Sequence, residues 1–297
     1  AGHGSLLGTM PCHVEPVDGA AGAGYGGYGV KAMVLQPENP ARGLDLHAGV
    51  VLVFDQDTGY PAALLDAGAV TALRTAAVSA VATDVLARQD CTALGILGSG
   101  VQARSHLRSM LAVRPGIREI RIWSRTPAHA EAMCGFARAE AAVREAGIEV
   151  RRAGAVAEAL RGADLVCTTL ACREPVVEAG MLTPGVHVNA VGASFRDHRE
   201  FTAAAVARAR LFVDSRESAL NESGDIGVPL REGLIGAEHI LAEIGEVLLG
   251  KQPGRGGPEE ITMYKSLGLA VQDVMFGFAA AAAANRSLAG TEVQLDR

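Results

Sequence analysis

The sequence predicts an α/β protein in which a doubly wound parallel sheet follows a smaller unit of β-strands. From residue 87 onward, short apolar runs alternate with helical patterns, which is typical of successive βαβ units. The chain is 49% hydrophobic but only 4% aromatic, so its core must be mostly aliphatic. An aliphatic core suits helices packed on a parallel sheet. The length of 297 residues allows one large domain or two ordinary ones.

Composition and charge exclude several classes of function. The net charge is −6 and no basic tract occurs, so we expect no nucleic-acid partner. The five cysteines form no CxxC pair and the histidines form no HExxH pattern, which favours a cytoplasmic protein with reduced thiols and no metal site. The longest apolar stretch, 267–284, contains Gln272 and Asp273 near its middle, so we expect a buried helix and no membrane span. No signal peptide is visible, although the printed sequence does not begin with Met.

The first part of the chain predicts a small antiparallel β unit. Residues 1–30 are rich in glycine, especially over 19–29, and predict a flexible surface loop. Strands are then predicted at Lys31–Leu35, Val50–Phe54 and Tyr60–Leu65, and a helix at Thr71–Ala87. We therefore predict one domain of residues 1–86, to which 269–297 return, and a second domain of residues 87–268.

The stretch 92–113 predicts a dinucleotide-binding turn. An apolar strand, Ala93–Leu97, leads into Gly98, Gly100 and Ala103 and then into an amphipathic helix. In this strand–turn–helix context the glycine pattern is the fingerprint of a Rossmann unit. The first glycine permits a tight turn and the second a close approach of the pyrophosphate. The N-terminus of the helix then presents unpaired N–H groups to the phosphates.

Five further strands alternate with helices and complete the predicted sheet. The strands are Glu119–Trp123, Ile148–Arg151, Asp164–Leu170, Val186–Val191 and Leu211–Asp214, and the helices are Pro127–Glu145, Val156–Arg161, Ala237–Leu249 and Ser266–Asn285. Ligands lie at the carboxyl ends of the strands in such sheets. The segment 189–194 is therefore a candidate binding segment.

The end of the second strand of this sheet indicates which dinucleotide is bound. NAD-binding units usually carry a carboxylate there, which holds the ribose 2′-OH. This strand instead ends in Ser124, Arg125 and Thr126. A carboxylate would repel a 2′-phosphate, whereas a guanidinium pairs with it. The sequence favours NADP(H), with NAD(H) as the alternative, although most exposed arginines are simply solvated.

Two cations lie among apolar residues in the first part of the chain. Lys31 begins a strand, and Arg74 lies near the start of the following helix. A cation in such surroundings is costly unless it is paired. Each therefore either forms an ordinary salt bridge, for which Asp66 is a candidate partner, or holds the carboxylate of a substrate.

Nine short motifs resemble the ornithine cyclodeaminase/μ-crystallin family in their order along the chain. They extend from about Met10 to the end of the final helix. The motifs are Lys31 with Pro37–Pro40, Arg74–Ala77, Gly98–Arg104, Trp123–Thr126, Asn189–Ser194, Val213–Glu217, Glu222–Asp225, Glu243–Glu246 and Lys265–Gly268.

The resemblance implies a homodimer in which the first domain carries substrate residues and forms the dimer sheet, and the Rossmann domain binds NAD(P). It implies that Lys31 and Arg74 hold the carboxylate of a small imino or amino acid substrate. The residues that it places along the cofactor are Thr75, Gly98, Gly100, Val101, Gln102, Ser124, Arg125, Thr126, Thr168, Thr169, Leu170, Val191, Ser266 and Gly268.

Position 194 bears on which reaction of the family is expected. The family's cyclodeaminases carry an aspartate two residues after the glycine that here is Gly192, and this carboxylate acts on the substrate amine. Ser194 stands there instead, and a serine is no general base near neutral pH without a partner. The Gly-Ala-Ser form resembles ketimine reductases and bacterial reductases of Δ1-pyrroline-2-carboxylate, and related branches reduce iminosuccinate. The helix and arginine that the family usually has before the Met10 position are absent from the printed sequence, so the resemblance does not extend to the distal half of the substrate pocket.

We therefore expect an NAD(P)H-dependent reductase of small cyclic or acyclic α-imino acids that yields L-amino acids. The resemblance implies that hydride passes to the C=N carbon while Lys31 and Arg74 pair with the carboxylate. Ser194 would hydrogen-bond the imine nitrogen or a water that protonates it. Two alternatives stay open. One is an ornithine cyclodeaminase or NAD-dependent amino-acid dehydrogenase, and the other is a protein that binds NADPH without turnover.

Overall fold

The computed structural model describes residues 4–17, 25–45 and 47–294. The chain divides into two compact units, one formed by Ala1–Arg74 with Gly268–Arg297 and the other by Thr75–Leu267. This division falls inside the first helix, Ala67–Leu86, whereas the sequence placed it after residue 86. The helix continues through the division, so its residue pattern contains no break that would have marked it.

The strands are β1 (Leu6–Val17), β2 (Tyr25–Leu35), β3 (His47–Asp55), β4 (Pro61–Asp66), β5 (Ala93–Leu97), β6 (Glu119–Trp123), β7 (Glu149–Arg152), β8 (Leu165–Thr168), β9 (His187–Ala190), β10 (Arg210–Val213), β11 (Ile240–Glu243) and β12 (Thr262–Lys265). The helices are α1 (Ala67–Leu86), α2 (Val101–Val113), α3 (Pro127–Ala139), α4 (Ala141–Glu145), α5 (Val156–Leu160), α6 (Ala203–Arg208), α7 (Arg216–Glu222), α8 (Gly224–Arg231), α9 (Ile244–Leu248) and α10 (Ala270–Ser287).

In the first unit, an antiparallel sheet in the order β1-β2-β3-β4 packs one face against α10. Val51 and Val53 on β3 and Val274 on α10 are fully buried in this core. Glycines allow the close approach of helix and sheet. A Cβ at Gly29 would lie 2.6 Å from the Val274 side chain, and one at Gly277 would lie 2.9 Å from that of Val53.

The predicted flexible loop at residues 1–30 is wrong for most of the part that the structure describes. Residues 6–17 and 25–30 belong to β1 and β2, which pair antiparallel with Met10 opposite Lys31. Residues 18–24 lie outside the described residues. The sequence favoured a loop because Gly8 and Pro11 are atypical of a strand. β1 contains both, and as an edge strand it tolerates the proline. The glycines in β2 do not mark a loop. They allow α10 to pack closely against the strand.

The face of this sheet opposite α10 is apolar and exposed. Side chains alternate between the two faces of a strand, so the residues paired with the even-numbered positions of β2 share this outer face. Its large apolar members are 39–69% exposed: Leu7, Tyr28, Val34, Val50 and Leu64. A contiguous apolar patch of this kind marks an interaction surface.

In the second unit, eight of the described strands form one parallel sheet in the order β11-β10-β12-β9-β8-β5-β6-β7. The predicted doubly wound fold is confirmed, together with the smaller α+β unit. The strand order reverses between β5 and β8, because the chain moves outward from β5 first on one side and then on the other. Such a reversal opens a crevice at the carboxyl ends of the strands, where ligands bind in α/β sheets.

Three element predictions in this unit need correction. The predicted helix over 237–249 is wrong in its first half, where the four residues of β11 precede α9. β12 was not predicted. Its four residues, Thr262–Lys265, combine polar and apolar side chains that are all buried, so they show neither alternation nor an apolar run. The predicted helix over 127–145 is divided by Glu140, whose backbone is extended.

α1 is long and apolar enough, by length and composition alone, to cross a membrane, and half of its most apolar window is buried inside the protein. Its buried residues include the polar side chains Arg74, Thr75, Ser79 and Thr83. Core helices of this length meet the same criterion, so length and hydropathy assign no membrane span here.

Candidate active-site residues

The predicted dinucleotide turn forms directly after β5. Gly98 has φ +134°, a backbone conformation that residues with a side chain rarely adopt. Its N–H donates to the carbonyl of Trp123 at 2.8 Å. A Cβ at this position would lie 2.1 Å from Thr169 Oγ1, which comes from the turn after β8. Thr169 is itself fixed by a 2.8 Å hydrogen bond from its N–H to the Leu97 carbonyl. Only glycine therefore fits at position 98.

The N-terminus of α2 is open to an anion. Gly100 is the residue that caps this helix, and it has no side chain that could accept a hydrogen bond from the first turn. A Cβ at Gly100 would meet nothing within 4 Å, so the backbone is uncovered on this side. His106 anchors this helix to α1, because its Nε2 lies 2.9 Å from Ser79 Oγ, and its Nδ1 hydrogen-bonds the Gln102 carbonyl at 2.8 Å. Val101 at the start of the helix is 62% exposed. An uncovered helix N-terminus attracts negatively charged groups such as phosphates.

The end of β6 offers hydroxyls and a cation. The hydroxyls of Ser124 and Ser99 lie 3.1 Å apart and join this strand end to the glycine turn. Arg125 is exposed, and its side chain has no hydrogen bond or ion pair to any described residue. Thr126 caps α3 without a hydrogen bond from its side chain. These side chains remain free to contact a ligand.

A buried carboxylate organises the ends of β8 and β9. Glu200 is fully buried and accepts three hydrogen bonds: from Thr168 Oγ1 at 2.8 Å, Leu170 N–H at 2.7 Å and Gly192 N–H at 2.8 Å. The backbone of Val191 is held as well, because its N–H donates to the Thr168 carbonyl at 2.9 Å. The predicted cofactor residues after these two strands are therefore rigidly placed.

Glu200 belongs to a charged cluster inside the second unit. Asp225 accepts hydrogen bonds from the N–H groups of Glu200 and Phe201, and Lys265 Nζ donates to its other oxygen at 3.0 Å. All three charged side chains are buried. Burial raises the pKa of Glu200 to about 7, Lys265 opposes the shift and Asp225 adds to it. One cation thus lies between two carboxylates.

Three further predicted cofactor residues are Ser266, Thr75 and Gly268. Ser266 is buried after β12, and its N–H donates to the Ala190 carbonyl at 3.0 Å. Thr75 is buried in α1, and its hydroxyl has no hydrogen-bond partner in the part of the chain that the structure describes. Gly268 has φ +91°, and a Cβ there would lie 2.7 Å from the guanidinium nitrogens of Arg74. Gly268 thus allows this guanidinium to lie against the backbone.

The two predicted cations of the first unit share one carboxylate. Lys31 Nζ donates to Asp273 Oδ1 at 3.3 Å and to Thr71 Oγ1 at 2.6 Å, and Arg74 Nε donates to the same Asp273 oxygen at 2.9 Å. Gln272 accepts from Arg74 Nη1 at 2.9 Å. The cations are 2% and 7% exposed and Asp273 is fully buried. This cluster therefore carries one positive charge in excess.

Donors remain unused in the cation pair. Among the described residues, nothing accepts from the third N–H of Lys31 or from Arg74 Nη2. Burial lowers the pKa of Lys31, Asp273 opposes this shift and Arg74 adds to it. An added anion would relieve the excess charge and favour the ammonium form of Lys31. The prediction that Asp66 pairs with one of these cations is wrong, because its carboxylate accepts a hydrogen bond from the Ala69 N–H at the start of α1.

The third predicted catalytic residue, Ser194, lies on an exposed segment after β9. Its hydroxyl makes no hydrogen bond to any residue in the described ranges. The same segment contains Asp197 and His198, whose carboxylate and Nδ1 lie 2.8 Å apart. In residues 4–17, 25–45 and 47–294, no group of three or more His, Cys, Asp or Glu side chains is placed to hold a metal ion.

Sequence reasoning missed Asp273 and Glu200 as organising carboxylates. Asp273 had a visible signal, since a charge in an apolar helix must be paired. Its partner Lys31 is 242 positions away in the sequence, so spacing did not reveal the pair. Glu200 gave no signal, because it follows a polar segment that looks solvated.

Comparisons with known proteins agree with this arrangement. The model of the ornithine cyclodeaminase/mu-crystallin family matches residues 7–283. Ketimine reductase mu-crystallin of Mus musculus is 36% identical over 275 residues, which is 93% of this chain and 79% of that protein. A Delta(1)-pyrroline-2-carboxylate reductase of Bacillus cereus is 38% identical over 248 residues, or 83% of this chain and 74% of that one.

A solved structure shows the same fold. The Thermococcus litoralis Delta(1)-pyrroline-2-carboxylate reductase, in complex with NADH and L-proline, has a TM-score of 0.83 and 38% identity, and the match covers 90% of this chain and 81% of that one. Sequence, fold and glycine turn agree with each other. The chain therefore belongs to the ornithine cyclodeaminase/mu-crystallin family.

Proposed function

We propose that this protein is an NAD(P)H-dependent oxidoreductase that reduces the C=N bond of small α-imino acids and yields L-amino acids. The observation that carries the proposal is the buried pair Lys31 and Arg74, which shares a single carboxylate and retains unused donors. An α-imino acid brings the one carboxylate that this cluster lacks. The relatives support the same substrate class, because they are named as reductases of a ketimine and of Δ1-pyrroline-2-carboxylate.

Lys31 and Arg74 would bind and orient the substrate carboxylate. The guanidinium of Arg74 offers a planar edge whose Nη2 is unused, and the ammonium of Lys31 contributes a point charge. Asp273 and Gln272 hold both cations in place, so little ordering is needed on binding. Ser194 has a free hydroxyl that would donate to, or relay a proton toward, the imine nitrogen.

The second unit fits a nicotinamide dinucleotide. Gly100 leaves an uncovered cradle at the N-terminus of α2, and Thr75 leaves a buried hydroxyl without a partner among the described residues. A bound dinucleotide would satisfy both features. The bound dinucleotide would supply the hydride, and this unit supplies position and charge.

The free guanidinium of Arg125 supports a preference for NADP(H) over NAD(H). It lies where a ribose 2′-substituent is recognised in Rossmann units, and the residues 123–126 include no carboxylate. A phosphate would pair with this guanidinium and accept from the hydroxyls of Ser124 and Thr126.

A homodimer through the first unit is the assembly that the sheet supports best. Its outer face exposes Leu7, Tyr28, Val34, Val50 and Leu64, and covering them would remove a large apolar area from water. The same face on a second copy is self-complementary under twofold symmetry.

The activity itself is tested by following NADPH and NADH oxidation with Δ1-pyrroline-2-carboxylate, Δ1-piperideine-2-carboxylate and iminosuccinate. We expect turnover with at least one of these α-imino acids and an L-amino acid as product. Ornithine should release no ammonia, which separates a reductase from a cyclodeaminase. Tight binding of NADPH without turnover of any imine would contradict the proposal.

Replacement of Arg74 by Ala should raise the KM for the imino acid about 10- to 100-fold, because a charge-assisted hydrogen bond to the carboxylate is lost. The Kd for NADPH should not change. Asp273 keeps Lys31 as its partner, so the variant should fold, as circular dichroism would show. Arg42→Ala is the matched control, since Arg42 is an exposed arginine of the same unit, paired only with Glu38. An unchanged KM in Arg74→Ala would remove Arg74 from the substrate site.

Replacement of Arg125 by Ala should weaken NADPH binding about 10- to 100-fold and leave NADH binding nearly unchanged, because only the 2′-phosphate pairs with the guanidinium. Titrations of nucleotide fluorescence measure both constants. Arg118→Ala removes an exposed arginine just before the other end of β6 and should change neither. Equal losses for both nucleotides would argue against recognition of the phosphate by Arg125.

Sedimentation should give the wild-type protein a mass of twice the 30.6 kDa chain. Leu64→Lys should shift it toward the monomer, because a charge would be buried at the apolar face of the sheet. Leu248→Lys alters an equally apolar residue that is 53% exposed on the second unit and should leave the dimer intact. A wild-type monomer at micromolar concentration would rule out this assembly.

A further inference from the structure

Glu200 connects the chain segments that follow β8 and β9 at the carboxyl edge of the parallel sheet. Its Oε1 accepts from the Leu170 N–H after β8, and its Oε2 accepts from Thr168 at the end of β8 and from the Gly192 N–H after β9. All three distances lie between 2.7 and 2.8 Å. Two of the donors are backbone groups of turns, so the carboxylate fixes the path of the chain there.

The backbone of Glu200 is also held in place. Asp225 accepts from the N–H of Glu200 at 2.8 Å and is held by Lys265, which stands at the end of β12. The ends of β8, β9 and β12 are therefore joined through one buried network. β8, β9 and β12 are neighbours in the sheet, and the turns after β8 and β9 carry Leu170 and Val191.

Glu200 is inaccessible to a ligand. It is fully buried, and both of its oxygens already accept hydrogen bonds. A buried carboxylate with this many donors acts on its surroundings through their position. Its influence on a reaction must pass through the turns that it holds.

We propose that Glu200 is a positioning residue, which in its ionised form holds the turns after β8 and β9 in the shape that the dinucleotide requires. This inference rests on the proposed function, because it takes these turns as part of the nucleotide site. As a neutral acid, Glu200 would have to donate a proton. Thr168 would then have to turn its hydroxyl, and the bonds from Leu170 and Gly192 would lose their charge assistance.

The charged groups around Glu200 place this change near neutral pH. Lys265 on β12 and Asp225 on α8 face it, and Cys172 after β8 lies within its field. Burial raises the pKa of Glu200 to about 7. The charge of Lys265 lowers this pKa, and the charge of Asp225 raises it. The pKa of the Cys172 thiol is raised to about 11, first by burial, so it stays neutral. Nucleotide binding that favours the carboxylate should therefore strengthen as the pH rises through about 7, and by linkage it should lower the pKa of Glu200.

The test compares the Kd for NADPH and NADH of the wild-type protein and of Glu200→Gln between pH 6 and pH 8.5. Glutamine keeps the shape but leaves the Gly192 N–H facing an amide NH2 rather than an acceptor. We expect the Kd of the variant to exceed that of the wild type about tenfold at high pH, and the ratio to fall toward one as the pH drops below about 6. The 2′-phosphate titrates equally in both proteins, so the ratio cancels it.

Two further variants keep the result decisive. Thr168→Val retains the carboxylate but removes one donor, so the pH midpoint of binding should move upward even if Glu200→Gln does not fold. Glu174→Gln removes a carboxylate whose side chain is 87% exposed and should leave the wild-type profile. A folded Glu200→Gln with the wild-type Kd at every pH, or an unmoved midpoint in Thr168→Val, would overturn the inference. A wild-type protein that binds neither nucleotide would overturn the proposed function instead, and the inference with it.

Discussion

The carboxyl edge of the parallel sheet depends on the close approach of Gly98 to Thr169. β5 and β8 are neighbours because the strand order reverses between them, so the turns after both strands occupy the same small space. Gly98 fits by having φ +134° and no side chain. Thr169 is held in place, because its N–H and its Oγ1 both donate to the Leu97 carbonyl. This contact directs the chain into α2 and leaves the N–H groups after Gly100 uncovered.

The buried charged cluster of the first unit has an excess of positive charge, and that of the second unit has an excess of negative charge. In the first unit two cations share Asp273, and in the second Lys265 pairs with Asp225 while the charges of both act on Glu200. The positive excess suits an anion as the missing partner. In the second unit burial, with a smaller contribution from Asp225, raises the pKa of Glu200 from 4.5 to about 7 in the folded state. Between these pH values the folded protein binds more protons than the unfolded chain, so its stability falls as the pH rises from about 4.5 to about 7. A carboxylate that destabilises the fold and yet makes three hydrogen bonds to turns argues for a role in the site rather than in folding.

The parts of the structure that local sequence encodes could be predicted, and those that depend on distant contacts could not. The strand, glycine turn and helix of residues 93–113 form a contiguous pattern with its own sterics, and they form as predicted. Lys31 and Arg74 were identified because a cation among apolar residues is anomalous by itself. Their partner was not, because Asp66 is near in sequence but caps α1, while Asp273 comes from the far end of the chain. β2 was only partly predicted, since its glycines are explained by α10, which packs where side chains at these positions would point.

The carboxylates after β9 argue for reduction of an imine rather than deamination of an amine. Deamination needs a carboxylate that takes a proton from the substrate amine, and Ser194 supplies none. Asp197 is a poor substitute, because its hydrogen bond with His198 lowers its pKa. Glu200 has the basicity but is buried with both oxygens engaged. A reductase has no such requirement: its substrate already contains the C=N bond, and the residues needed are cations for the carboxylate and a hydroxyl or water that delivers a proton. Lys31, Arg74 and Ser194 are the side chains that we propose for those tasks.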